Sequence, residues 1–223
     1  MGAGLHIFIS STCYDLFQER KDITSVLDEL GHEVLVSDNS EKFPVSPFLH
    51  SYDSCLEAIR THADLIIVVN RNYGGTDNRG RSITLLEMRE AQKCNLPCFV
   101  FVNEITLYTL QYWKNNPDGD FKPYIEDNRV FEFIDEVRKQ PIGNWLFPYE
   151  DAKDLCDSLK LQLSVLLRSL LSEKKNGIMK KDNKNPCIQG YRKLRSKNPE
   201  TRREGSAILV QYRGIEQLID GAS

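Results

Sequence analysis

The sequence predicts the α/β class, with an open, doubly wound parallel sheet covered by helices on both faces. Short apolar runs alternate with amphipathic stretches of helical length from residue 5 to about 103, as in βαβ units joined by right-handed crossovers. One of those runs, Asp64 to Asn70 (DLIIVVN), is apolar almost throughout, as a strand buried on both faces must be. The first run ends in Ser10-Ser11-Thr12 and turns directly into a helix. Hydroxyls and open backbone N–H groups thus gather at the carboxyl end of a strand, where such folds bind ligands and where a helix N-terminus attracts negative charge.

Residues 6–10 read as the first strand, and Asp15 to Leu30 as a helix with Leu16, Phe17, Ile23, Val26, Leu27 and Leu30 at helical spacing. Gly31 supplies its C-cap. Glu33 to Ser37 read as the second strand, followed by a polar, proline-containing loop to about His50 and a helix over Tyr52 to Thr61. The apolar third strand leads into a loop, Asn70 to Gly80, with two arginines, one tyrosine and three glycines. A helix from Ser82 to about Cys94 and a strand over Pro97 to Asn103 complete the regular alternation. The first and third strands lie side by side in the order 2-1-3-4, as in flavodoxin-like sheets, with the switch point between them. Further on, helices are expected over Thr106–Asn115, Arg129–Lys139 and Ala152–Glu173, and a short last strand over Trp145–Tyr149. The last helix carries Leu155, Leu159, Leu163, Leu166, Leu167 and Leu170 on its expected buried face.

The chain has 223 residues, 40% hydrophobic and 27% charged, with a formal net charge of −3. That is enough for one substantial core with a smaller appendage, and it makes no general case for nucleic-acid binding or for a membrane span. The N-terminus lacks the regions of a signal peptide, so a cytoplasmic protein is expected. Six cysteines (13, 55, 94, 98, 156 and 187) are irregularly spaced and four histidines are scattered. Reduced thiols and no metal site are expected.

Three segments at the carboxyl edge of the sheet carry the candidate chemistry: Ser10-Ser11-Thr12, the Asn70–Gly80 loop, and the helix start Ser82-Ile83-Thr84-Leu85-Leu86-Glu87. Glu87 is the leading carboxylate. It can hydrogen-bond a ribose hydroxyl, stabilise an oxocarbenium-like centre or attack an anomeric carbon; equally, it can face solvent and favour the helix dipole. Glu90, one turn on, reads as the alternative, more simply a solvated helix residue. Ser82 or Thr84 can cap its helix. Ser11 or Thr12 can cap the first helix, with Asp15 in a capping-box position. Arg71 and Arg79 can hold phosphates, and Tyr73 can stack on a ring or fold back onto the core. Phosphate-loop, dinucleotide-fold and nucleophile-elbow motifs are absent from the sequence.

The ordered motifs FISSTxxDLxxER at 8–20, NRxYG at 70–74 and SITxxE at 82–87 resemble a TIR-like family catalogued as domain of unknown function 4062. The family often stands at the front of bacterial defence and STAND-type ATPase proteins. The resemblance covers residues 5–103 and implies a fold similar to TIR domains and nucleoside 2-deoxyribosyltransferases. Both cleave an N-glycosidic bond with a glutamate on the helix after the third strand, a position that matches Glu87. It implies substrate-binding roles for Ser10, Ser11, Thr12, Asn70, Arg71, Tyr73, Gly74, Ser82 and Thr84. Asp15, Glu19 and Arg20 match the first-helix signature and are expected to order the loop by ion pairing. Where the family often has an acidic residue after the Thr of its Ser-Ile-Thr motif, this chain has Leu85, leaving Glu87 to act largely alone.

The resulting expectation is a TIR-like α/β domain over 1–173, a basic polar linker over 174–205 and a short C-terminal element over 206–223. Its activity would be NAD+ glycohydrolysis in antiphage defence, with NAD+ as substrate, no cofactor, and activation by self-association or a partner sensor. The alternatives are a nucleoside or nucleotide N-glycosidase or deoxyribosyltransferase, and a non-enzymatic signalling or nucleotide-sensing module.

Overall fold

Five parallel strands form the sheet: β1 (His6–Ser11), β2 (Glu33–Leu35), β3 (Leu65–Asn70), β4 (Cys98–Asn103) and β5 (Leu146–Tyr149), in the order β2-β1-β3-β4-β5. This computed structural model describes residues 4–12, 15–37, 43–140, 143–184, 193, 200–201 and 203–204. The helices are α1 (Phe17–Glu29), α2 (Ser51–Thr61), α3 (Ile83–Lys93), α4 (Glu104–Asn115), α5 (Arg129–Arg138) and α6 (Ala152–Lys184). The α/β flavodoxin-like arrangement and the adjacency of β1 and β3 are as the sequence predicts.

β3 is central because its sequence leaves it no other place: all six residues are buried, and it pairs with β1 through Ile7↔Leu65 to Ser11↔Val69 and with β4 through Ile66↔Cys98 to Asn70↔Val102. Strand alternation splits the core. Phe8, Ile66, Val68, Val100 and Val102 join Ile59, Met88, Ala91, Phe131 and Ile134 from α2, α3 and α5 in one cluster. On the other face, Ile7, Ile9, Ile67 and Phe101 are equally buried, as are Ile23 and Leu27 of α1. The pairing of Ser11 with Val69 and of Asn70 with Val102 brings the carboxyl ends of β1, β3 and β4 level, so their loops open on one edge.

Three helices differ from expectation: α4 starts at Glu104, two residues before Thr106, and α1 and α6 differ as well. α1 starts at Phe17, with Leu16 at its N-cap and no side-chain cap bond; Asp15 therefore lies outside it, and neither Ser11 nor Thr12 caps it. α6 runs to Lys184, past the Glu173 at which the apolar pattern predicts its end and into the segment expected to be a linker. On its expected buried face, Leu155 and Leu159 are fully buried, but Leu167 and Leu170 are more than half exposed. The chain divides into two compact units, Met1–Gln162 and Leu163–Ser223. The sheet and the candidate site belong to the first; in the second, Lys193 pairs with Glu204 at 2.7 Å. The element expected over 206–223 lies outside the described residues. No described helix is long and apolar enough to cross a membrane.

Candidate functional site

Glu87 sits in the second turn of α3, where sequence and tertiary packing both constrain it. The helix starts at Ser82, whose hydroxyl accepts from the Leu85 N–H at 3.4 Å and donates to the Tyr73 carbonyl at 2.9 Å. That cap ties α3 to the loop after β3. Leu85, Met88 and Ala91 turn into the core and carry Glu87 inward with them, leaving it 5% exposed. Ser10, near the end of β1, donates its hydroxyl to Glu87 Oε2 at 2.5 Å, and the thiol of Cys55 on α2 is a further hydrogen-bond partner. Burial pushes the Glu87 carboxyl up to about 7, against the opposing pulls of the Ser10 hydroxyl, the Arg20 charge and the Cys55 thiol. A solvent-facing first-turn glutamate is excluded by this environment.

The loops above are cross-braced by Asp15. One carboxylate oxygen accepts from the Thr12 hydroxyl and the other from the Asn72 side-chain amide at 2.8 Å, so one residue joins the β1 loop to the β3 loop. Arg20 is buried and donates to the Ser11 hydroxyl at 2.8 Å. Gly74 completes the junction: its φ is +74°, and a Cβ there would collide with the Thr12 γ-methyl. Only glycine lets the two loops meet in this way.

A cleft of about 570 Å³ opens at this edge. Of the residues singled out in the sequence, Ser11, Thr12, Asp15, Gly74, Thr84 and Glu87 line it. Ser10 lies behind the Glu87 carboxylate that it binds. Asn70 is buried and donates to the Asn72 carbonyl at 3.2 Å, while Ser82 is the α3 cap. Arg71 and Arg79 are exposed and are not part of the lining. Tyr73 folds back against the core, under the Arg129 guanidinium at 4.2 Å from its ring centroid; its hydroxyl reaches the Gly80 carbonyl at 3.4 Å and accepts from the Ser82 N–H at 3.2 Å. Glu90 is not solvated: it is buried, held by Arg60 at 2.6 Å and Lys93 at 2.9 Å, which hold its carboxyl below the usual range. That pair couples α2 to α3 and keeps Glu90 structural.

Sequence reasoning missed the opposite wall. Ser37 after β2, Phe43, and Ser51, Tyr52, Ser54 and Cys55 at the start of α2 all line the cleft. The rule that pointed to β1 and β3 applies equally to β2, whose following helix starts at the same sheet edge. Among the described residues no group of three His, Cys, Asp or Glu could hold a metal ion, and Cys55, Cys94, Cys98 and Cys156 are free thiols.

The family described as a domain of unknown function (DUF4062) matches residues 6–164. The chain belongs to this family. The match extends the resemblance well past residue 103, so the family domain takes in β5 and the start of α6 as well as the three motifs. No curated protein matches the DUF4062 chain. It is similar to the TIR domains in the structure of the activated Roq1 resistosome directly recognising the pathogen effector XopQ, at 14% identity over 72% of this chain and 99% of that one, with a TM-score of 0.43. It is also similar to a crystal structure of a probable GTP-binding protein engB, at 13% identity over 74% and 99%, with a TM-score of 0.41.

Proposed function

We propose that the cleft hydrolyses the N-glycosidic bond between nicotinamide and ribose in NAD+. The observation that carries this is the buried Glu87 carboxylate, held by Ser10 at 2.5 Å and raised to about 7 at the wall of a hydroxyl-lined cleft. A carboxylate in so dry a position is stabilised little by its surroundings and gains most from a positive charge placed beside it. Developing positive charge on the ribose C1′ in the transition state is such a charge. Nicotinamide leaves as a neutral base, so no acid is needed to protonate it. The C1′–N bond breaks, water adds to C1′, and nicotinamide, ADP-ribose and a proton are released. A single carboxylate suffices for this step, consistent with Leu85 at the position where the family often has a second acid.

We extend the reading to an antiphage role with activation by self-association or a partner sensor, as the resemblance implies. The test is NAD+ consumption by the full chain, with and without a crowding agent. Wild type consumes NAD+, and Glu87→Ala abolishes consumption while remaining folded. A folded, self-associated wild type that leaves NAD+ intact refutes the reading. Release of free base from a panel of nucleosides instead would identify the N-glycosidase alternative.

A further inference from the structure

We propose that the amino end of α2 is an anion site that seats a phosphate group of the substrate, which makes the substrate a nucleotide with a 5′-phosphate or diphosphate rather than a free nucleoside. This rests on the reading of the cleft as a ribosyl-bond site and names the group recognised beside the scissile bond.

α2 is eleven residues long, and His50 at its N-cap makes no side-chain cap bond. Its first helical hydrogen bond runs from the Ser54 N–H to the His50 carbonyl at 2.9 Å. The N–H groups of Ser51, Tyr52 and Asp53 precede that bond and are the open donors of a helix start. Ser51 and Tyr52 line the cleft. A second, independent observation points to a ligand. Ser54 also lines the cleft and is 2% exposed, yet its hydroxyl has no hydrogen-bond partner among the described residues. Buried hydroxyls are seldom left so, and an acceptor entering from the cleft supplies what is missing.

The donors of this wall, rather than its charges, point to a ligand rich in acceptors. Ser37 brings another hydroxyl to it, and Arg81 acts on the Tyr52 hydroxyl against the carboxylates of Asp77, Glu87 and Asp53. The carboxylates that line the cleft, Asp15, Glu87 and Glu126, come from other elements, and Asp53 in the first turn of α2 is not part of the lining. Backbone N–H groups can only donate, so a cluster of them with hydroxyls matches phosphate oxygens, which only accept, better than sugar hydroxyls.

The experiment uses the full chain, with ADP-ribose, inorganic pyrophosphate and adenosine as probes in calorimetric titration. Ser51→Pro deletes one N–H at the first helical position, where proline is tolerated. His50 already has φ −62° and ψ 154°, the conformation favoured before proline. Ser54→Ala deletes the buried hydroxyl. Wild type is expected to bind ADP-ribose at least tenfold more tightly than adenosine, with pyrophosphate competing, and each variant is expected to weaken ADP-ribose binding about five- to tenfold. Should Ser51→Pro fail to fold, Ser54→Ala and the pyrophosphate competition decide. ADP-ribose that binds no better than adenosine, or binding untouched in the folded variants, overturns the site. NAD+ hydrolysis alongside such untouched binding sinks the phosphate site alone. Weakened binding in the variants without NAD+ hydrolysis by wild type upholds the site and sinks the reaction.

Discussion

Replacing Glu87 by Gln removes the charge from the cleft and keeps the shape. Burial places the folded carboxyl at about 7, against an ordinary value of 4.5. The raised value means the folded state holds the proton more tightly than the unfolded chain does. Stability is therefore fully present below pH 4.5 and is lost as pH rises through about 7, above which the loss is complete. A gap of this size corresponds to about 3 kcal/mol at 1.36 kcal/mol per unit. Gln carries no such cost, and its amide oxygen can still accept from the Ser10 hydroxyl. Urea titrations at several pH values from 4.5 to 8 should show the wild type losing stability relative to Glu87→Gln by about 3 kcal/mol across that window. In melting temperature this is about 6–12 °C for a chain of this size. A wild-type-minus-variant difference that stays constant to within about 1 kcal/mol from pH 4.5 to 8 would refute the claim that burial dominates the Glu87 environment.

Three further outcomes follow from the same geometry. If the ionised Glu87 is the active form, kcat/KM for NAD+ should rise about tenfold per pH unit below about 7 and level off above it; a flat profile measured by nicotinamide release excludes this role. Gly74→Ala should cost about 1–2 kcal/mol from its left-handed φ, with more from the collision with Thr12, and should depress NAD+ turnover; both are read by denaturant titration and nicotinamide release, and an unchanged midpoint contradicts the loop junction. Arg60→Ala should cost about 1 kcal/mol by denaturant titration through the loss of the Glu90 pair. Because Glu90 is held below its ordinary range, that difference should be present above about pH 4.5 and fade as pH falls.

The fold was legible because each element announces itself locally. β3 is apolar along its whole length and is buried at every position; β1, α3 and β4 have their predicted places to within a residue or two. Element ends were less legible where side chains bond across the fold. Asp15 reads locally as part of a capping box, but it lies outside α1 and accepts from Thr12 and Asn72. Glu90 reads as solvated, since nothing near it in the sequence shows that Arg60, thirty residues earlier, closes over it. Serines 51 and 54 carry no motif, and only the packing of α2 at the sheet edge gives them a cleft to line.

Composition, periodicity and the three motifs determine that this chain is a parallel α/β domain of its family, with its candidate functional groups at the carboxyl edge of the sheet. That information is local: strand and helix periods repeat over a few residues, and a strand that ends in hydroxyls places them at that edge whatever surrounds it. Which of those groups meet, and in what protonation state, was decided by the tertiary structure. Ser10 and Glu87 are 77 positions apart, and their contact follows from the pairing of β1 with β3 and the packing of α3 against the sheet. The raised proton affinity of Glu87 comes from exclusion of water, a property of the packed volume that no run of neighbouring residues encodes.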